Sequence, residues 1–275
     1  FAGGSLVGML IATGLAVTAI QARDAAREQR REAEGLVGFM LGDLRAKLEP
    51  LGRLDTLDAV GARALAYYQS QDKGSLSDES LTQRSKALTL MGEIANTRGN
   101  LDRALQLYRE AYASTAEAVR RDPETPQRLW DHAQNVFWVG EIAHQRGLYR
   151  EAESSMREYK RLADAMVAIE PNNPRWRLEV KYANTGLGVL LFSQRRFSES
   201  SPVLQKALET AESLSASDPA NVEYRKALIE SLAWLADSQF AEGRIDEAIA
   251  KRERQIVAID ALSKKHPTHA GIREK

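Results

Sequence analysis

Four histidines are the residues here that change charge near neutral pH, and their spacing decides what they can do. His132 and His144 stand twelve positions apart, about 18 Å along one helix, too far to share a metal ion. His266 and His269 form a local pair close to the last residue. There is no cysteine, which removes thiolate zinc sites, disulfides and cysteine nucleophiles. Neither a phosphate-cradling P-loop nor a GxGxxG turn is present, and HExxH, GxSxG and the kinase signatures are missing too. Histidines without a ligand cluster around them are read as packed or solvated. The 38 acidic and 38 basic residues mix at helical spacing, the pattern of solvated helix faces. Their balance leaves no global field to draw the chain onto nucleic acid. We therefore expect no catalytic residues, no metal and no cofactor in this segment, and a surface that binds.

The elements that position such a surface show themselves by repetition. Pro123, Pro171, Pro219 and Pro267 recur every 48 residues. A small residue keeps the same step at Gly92, Gly140, Gly188 and Ala236, and a turn position keeps it at Gly99, Gly147, Arg195 and Gly243. A third series runs Ala104, Ala152, Ser200 and Ala248. A fixed period of this length predicts an all-α solenoid, in which each unit buries its apolar face only against its neighbours. Within a unit two amphipathic helices are expected: Val136, Val139, Gly140 and Ala143 line the first, and Ala152, Met156, Tyr159, Ala163 and Met166 line the second. The turn glycine supplies a positive φ between them, and the pairs Asp122-Pro123, Glu170-Pro171, Asp218-Pro219 and His266-Pro267 end the second helix. Gly92, Gly140 and Gly188 mark close helix contacts that should accept Ala and reject Leu.

Ahead of the array, residues 1–20 carry no charge. Twenty residues at about 1.5 Å each span the ~30 Å hydrocarbon layer, so the segment reads as a transmembrane helix. A cleaved signal peptide is the rival reading, without a visible basic start or cleavage site. Gly4, Gly8, Ala12 and Ala16 form a small-residue stripe through which two such helices could pack as a homodimer. Residues 21–34 follow as a charged helical stalk whose apolar seam is Ala22, Ala26, Gln29, Ala33, Leu36 and Met40. Residues 35–84 read as a divergent leading or capping repeat with a polar loop over 70–80, and residues 85–275 as about four 48-residue units. Phe1 is not a start residue, and Pro267 to Lys275 look like the opening of another unit, so the chain reads as a fragment.

The stretches LMGEIANTRGNLDRALQLYREA, WVGEIAHQRGLYREAESSMREY, GLGVLLFSQRRFSESSPVLQKAL and LADSQFAEGRIDEAIAKRERQ resemble tetratricopeptide repeats: small residue, turn glycine, alanine and apolar positions stand in order, four times in phase. That family has a period of 34. The 14 extra residues here, shared between two helices, lengthen each by about two turns, ~10 Å, and keep the apolar phase to within about 20°. Helices near twenty residues follow. In this family the inward groove is carried by the first helix of each unit. The matching positions are Glu93, Asn96, Phe137, Glu141, His144, Tyr182, Thr185, Phe192, Asp237 and Phe240, an aromatic and acidic set. Only Lys86 and Asn96 stand where the family places its carboxylate-gripping residues, so a grip on a peptide terminus is not expected. Trp138 and Trp234 are assigned to helix packing.

The resemblance implies a non-catalytic module that binds a protein or peptide. The order of span, stalk and array is similar to bacterial signalling proteins with a cytoplasmic effector, one span and such an array. This points to a single-pass protein of the inner (cytoplasmic) membrane with its array in the periplasm, although Arg23, Arg27, Arg30 and Arg31 favour the opposite orientation. A structural scaffold remains the alternative, as does the accessory region of an enzyme whose kinase, cyclase or TIR-type domain lies upstream.

Overall fold

The computed structural model describes residues 18, 20–25, 28, 29, 32–40, 54–69 and 76–265. The described part is helical and, among the described residues, contains no strand. The chain divides into two compact units, 1–94 and 95–275. In the first, helix α1 (Leu54–Gln69), residues 32–40 and most of α2 (Asp78–Thr97) share a core of Val37, Leu57, Ala64, Tyr68, Ala87, Leu90 and Ile94. Helix α2 starts inside the stretch read as a loop, because the Ser77 hydroxyl accepts from the Ser80 amide at 3.1 Å and caps it. The Ser80 hydroxyl in turn donates to the buried Glu34 carboxylate.

The second unit is built from α3 (Leu101–Arg121), α4 (Pro126–Gln145), α5 (Tyr149–Ile169), α6 (Pro174–Ser193), α7 (Phe197–Ser217), α8 (Val222–Ala241) and α9 (Ile245–Lys265). Helices of 20 and 21 residues alternate, the length that the 48-residue period demands. Each first helix starts on local chemistry. Pro126 and Pro174 occupy the first turn, where a missing N–H costs nothing. The Asn173 side chain accepts from the Arg175 amide at 3.0 Å, and Asn221 accepts from Glu223 and Tyr224 at 3.0 and 3.2 Å. The second helices end at Asp122, Glu170 and Asp218, each one residue before proline, where the ring excludes a helical conformation.

Antiparallel pairs α4–α5, α6–α7 and α8–α9 stack, with α3 against α4, α5 against α6 and α7 against α8. Between the helices of a pair, Gly147 and Gly243 take φ of 73° and 81°, and Gly99 takes 75°. The fourth turn position is filled by Arg195 at φ 61°. The core stripe Ala152, Met156, Tyr159, Ala163 and Met166 is buried as its spacing predicts, meeting Leu129, Val136, Leu187 and Leu190 from the flanking helices. Contact between α6 and α8 puts the first helices side by side on one face.

Two expectations are corrected. Among the described residues no helix is long and apolar enough to cross a membrane, which overturns the single-pass inner-membrane localisation with its periplasmic array. A helix such as α6 has the length, but Arg175, Arg177, Glu179 and Lys181 lie along it, and ionised groups are costly in hydrocarbon. Gly4, Gly8, Ala12 and Ala16, on which the membrane-helix dimer rested, lie outside the described residues, as do His266 and His269. The second correction concerns Gly188: a Cβ there would stand 2.6 Å from the Leu204 side chain, so even Ala does not fit without a shift.

Candidate functional site

The face formed by α4, α6 and α8 opens into a cleft of about 810 Å³. Helix α4 contributes Trp130, Gln134, Phe137, Glu141 and His144, which fall at steps of four and three and so form one stripe. Helix α6 contributes Arg175, Leu178, Glu179, Tyr182, Thr185, Gly186, Val189 and Leu190. Helix α8 adds Glu223, Tyr224, Glu230 and Trp234, while Met156 and Tyr159 of α5 close the back wall. Gly186 helps to keep the cleft open: a Cβ there would come within 3.3 Å of the Met156 sulfur and 3.9 Å of the Phe137 ring.

Polar groups in the wall are held in defined positions. Glu179 is 7% exposed, and its carboxylate accepts from Trp130 Nε1 at 3.1 Å, Gln134 Nε2 at 2.6 Å and the Tyr159 hydroxyl at 2.5 Å. Burial, reinforced by the Glu179 charge, pushes the Tyr159 phenol far above its ordinary range, which keeps it a donor. Burial first, then the charges of Glu223, Glu230 and Glu179, raise Tyr182 to about 12. Lys181 is fully buried, donates to Glu230, and lies 4.6 Å from the Tyr182 ring centre. At one end the Arg175 guanidinium sits between Trp130 and Trp176, 4.4 and 4.6 Å from their ring centres, and donates to Gln127 at 3.0 Å. At the other end the His144 Nε2 and the Ser193 hydroxyl are 2.9 Å apart.

Of the residues expected in the groove, Phe137, Glu141, His144, Tyr182 and Thr185 meet in this cleft. The others do not line it. Phe192 packs 5.3 Å from Phe197 and 6.1 Å from Trp234, Asp237 pairs with Arg252, and Phe240 stands exposed near the end of α8. Glu93 and Asn96 lie in the last turns of α2, where the Asn96 carbonyl accepts from the Gly99 amide at 2.8 Å. Sequence reasoning missed Trp130 and Gln134, although they continue the Phe137 stripe by two steps. It also missed Glu179, which continues the α6 stripe of Tyr182 and Gly186 by one step of three. Trp138 does pack, stacking on Tyr108 at 5.5 Å with 8° between planes. Trp234 both packs against the cluster of Leu204, Leu208, Leu232 and Leu235 and lines the cleft. Among the described residues no group of three His, Asp or Glu side chains is placed to hold a metal ion.

Stacked antiparallel helix pairs with an aromatic and acidic cleft on the face of the first helices define a tetratricopeptide-like repeat array. Comparison of the sequence with protein families and with characterised proteins found no match. Comparison of the fold did. The crystal structure of BtubC (BKLC) from P. vanneervenii is similar with a TM-score of 0.66 at 16% identity, over 90% of this chain and 89% of that one. A putative kinesin light chain of Podosopora anserina with nearly identical TPR-like repeats gives a TM-score of 0.52 at 16% identity, over 82% and 95% of the two chains. At these identities the likeness is one of fold: this chain has the fold of TPR-like repeat proteins.

Proposed function

We propose that the array is a non-catalytic module that binds a protein or peptide segment in the cleft of α4, α6 and α8. The observation that carries this reading is the cleft itself. It is apolar and aromatic in most of its wall, it has a few polar groups fixed by hydrogen bonds, and it lies on the face formed by the first helices. Preformed concavities of this size and make-up are where proteins take ligands, and aromatic side chains at such places carry a disproportionate share of binding energy. The same surface would serve the interaction part of a larger signalling protein or a scaffold.

The test uses a displayed library of random peptides selected on the purified chain. Peptides that bind should lose about tenfold or more in affinity when Phe137→Ala and Tyr182→Ala are combined, because two anchors worth about 1 kcal/mol or more each are removed. Circular dichroism should show that helix content survives. Peptides that bind the double variant as tightly as the wild type would move the binding surface elsewhere.

A further inference from the structure

The cleft contains a buried charge that the protein does not neutralise. The three partners of Glu179, namely Trp130, Gln134 and Tyr159, are all neutral donors. Among the described residues no Lys, Arg or His stands at ion-pairing distance from it. The three cations of the same helix have other contacts: Lys181 on Glu230, Arg177 on the Ser213 hydroxyl, and Arg175 on Gln127 and the faces of Trp130 and Trp176. Hydrogen bonds from neutral groups position a carboxylate but do not offset all that it loses on leaving water. Glu141 and Glu223, which line the same cleft, have no ion-pair partner among the described residues either. A carboxylate with a cation waiting beside it would be a structural ion pair. A carboxylate held open towards an aromatic cleft that two more carboxylates line is a receptor for a cation.

From this we infer that the cleft recognises a basic side chain, arginine or lysine, on an extended peptide, with Glu179 as the anchor of its guanidinium or ammonium group. The inference rests on the binding role proposed above and names the chemistry of the ligand. The Phe137 ring, 5.5 Å from the ring of Tyr159 that bonds Glu179, lines the same cleft and favours a cation over a neutral group of equal size, while the Tyr182 ring already faces the Lys181 ammonium. The donors on Glu179 leave its geometry fixed before the ligand arrives, so little ordering is lost on binding. Charge complementarity selects the occupant: the carboxylates would repel an acidic segment, and an apolar one would leave Glu179 buried and unpaired.

The same library selection separates the two levels. Peptides enriched on the wild-type chain should carry Arg or Lys. An enriched peptide should lose about tenfold in affinity when that residue is replaced by its neutral counterpart, citrulline for arginine or norleucine for lysine. On Glu179→Gln the same peptide should bind about tenfold more weakly than on the wild type, and the neutral replacement should then cost little more, as a double-mutant cycle requires for a direct pair. Glu141→Gln and Glu223→Gln, at positions outside the buried network, should each weaken binding about threefold and flatten its dependence on salt. They keep the test open if Glu179→Gln alters the fold. Enriched peptides without basic residues, or basic peptides indifferent to all three substitutions, would overturn the cationic ligand while leaving the binding cleft in place. No enrichment on the wild-type chain would overturn both.

Discussion

The unit of α4 and α5 and the unit of α6 and α7 follow one plan, yet the same positions are under different stress. The close-contact glycine of the first, Gly140, would place a Cβ 3.0 Å from Ser155 Cβ and 3.1 Å from the end of Met156. In the second, Gly188 would meet Leu204, the residue one period after Met156, at 2.6 Å. A thioether is flexible enough to move aside and a branched, fully buried leucine is not. The turn residue is Gly147 in one and Arg195 in the other, both at positive φ, where a Cβ crowds the backbone. Helix α7 carries Pro202 in its interior, where α5 has Ser154 with its backbone N–H intact. Buried in α4 is His132, where α6 has Val180 one period later. A repeat thus fixes the backbone and leaves each unit to settle its own packing, and the differences can be measured.

The largest effect belongs to His132. It is 4% exposed, its Nδ1 lies 2.9 Å from the Thr115 hydroxyl, and burial lowers its pKa from 6.5 to about 4. The unfolded chain takes up this proton near pH 6.5 and the folded chain only near pH 4, so the unfolded state binds more protons in between. Stability should be unaffected by this group above the upper value and should fall as pH drops through the window. The total loss is on the order of 3 kcal/mol. Denaturant melts across this range should show the wild type losing stability more steeply than His132→Val, which carries the residue of the next unit. A wild-type curve as flat as that of the variant would remove this titration from the account.

Next is the glycine pair. Gly188→Ala should cost about 1–3 kcal/mol through overpacking, whereas Gly140→Ala should cost less, since its Cβ would meet Ser155 and Met156 at 3.0 and 3.1 Å rather than a leucine at 2.6 Å and the gain in helix propensity is about 1 kcal/mol. Leu204→Met in the Gly188→Ala background should recover part of the loss. Equal costs at the two glycines would show that the contact distances do not govern them.

The smallest is the turn. Arg195→Gly should raise stability by about 1 kcal/mol, because a left-handed residue other than glycine costs about that much, and Gly147→Arg should lower it by a similar amount. Thermal midpoints moving in the same direction for both substitutions would contradict the assignment of strain to Arg195.

Much of the fold was legible in the sequence. The 48-residue step placed the helix pairs, the turn glycines and the proline stops, because each of these depends on a local preference of one or two residues and recurs in phase. Phe137, Glu141, His144, Tyr182 and Thr185, which the resemblance to tetratricopeptide repeats assigned to a groove, line the cleft. The apolar start of the chain misled. Its composition invited a membrane reading for the whole protein, while the helices that the structure describes are amphipathic and charged.

What the sequence determined by itself was therefore what periodicity carries, an all-α array of helix pairs, while helices near twenty residues and an inward face of first helices came from the resemblance to tetratricopeptide repeats. Only the tertiary structure decided which residues meet there. Glu179, Trp130 and Tyr159 come from three different helices, and their convergence depends on the angles and distances at which α4, α5 and α6 pack. Those are set by the volumes of core side chains such as Met156 and Leu187, which a pattern of apolar positions does not specify. The same reason explains Gly188, whose tolerance is fixed by the shape of Leu204 across the interface and by nothing in its own neighbourhood along the chain.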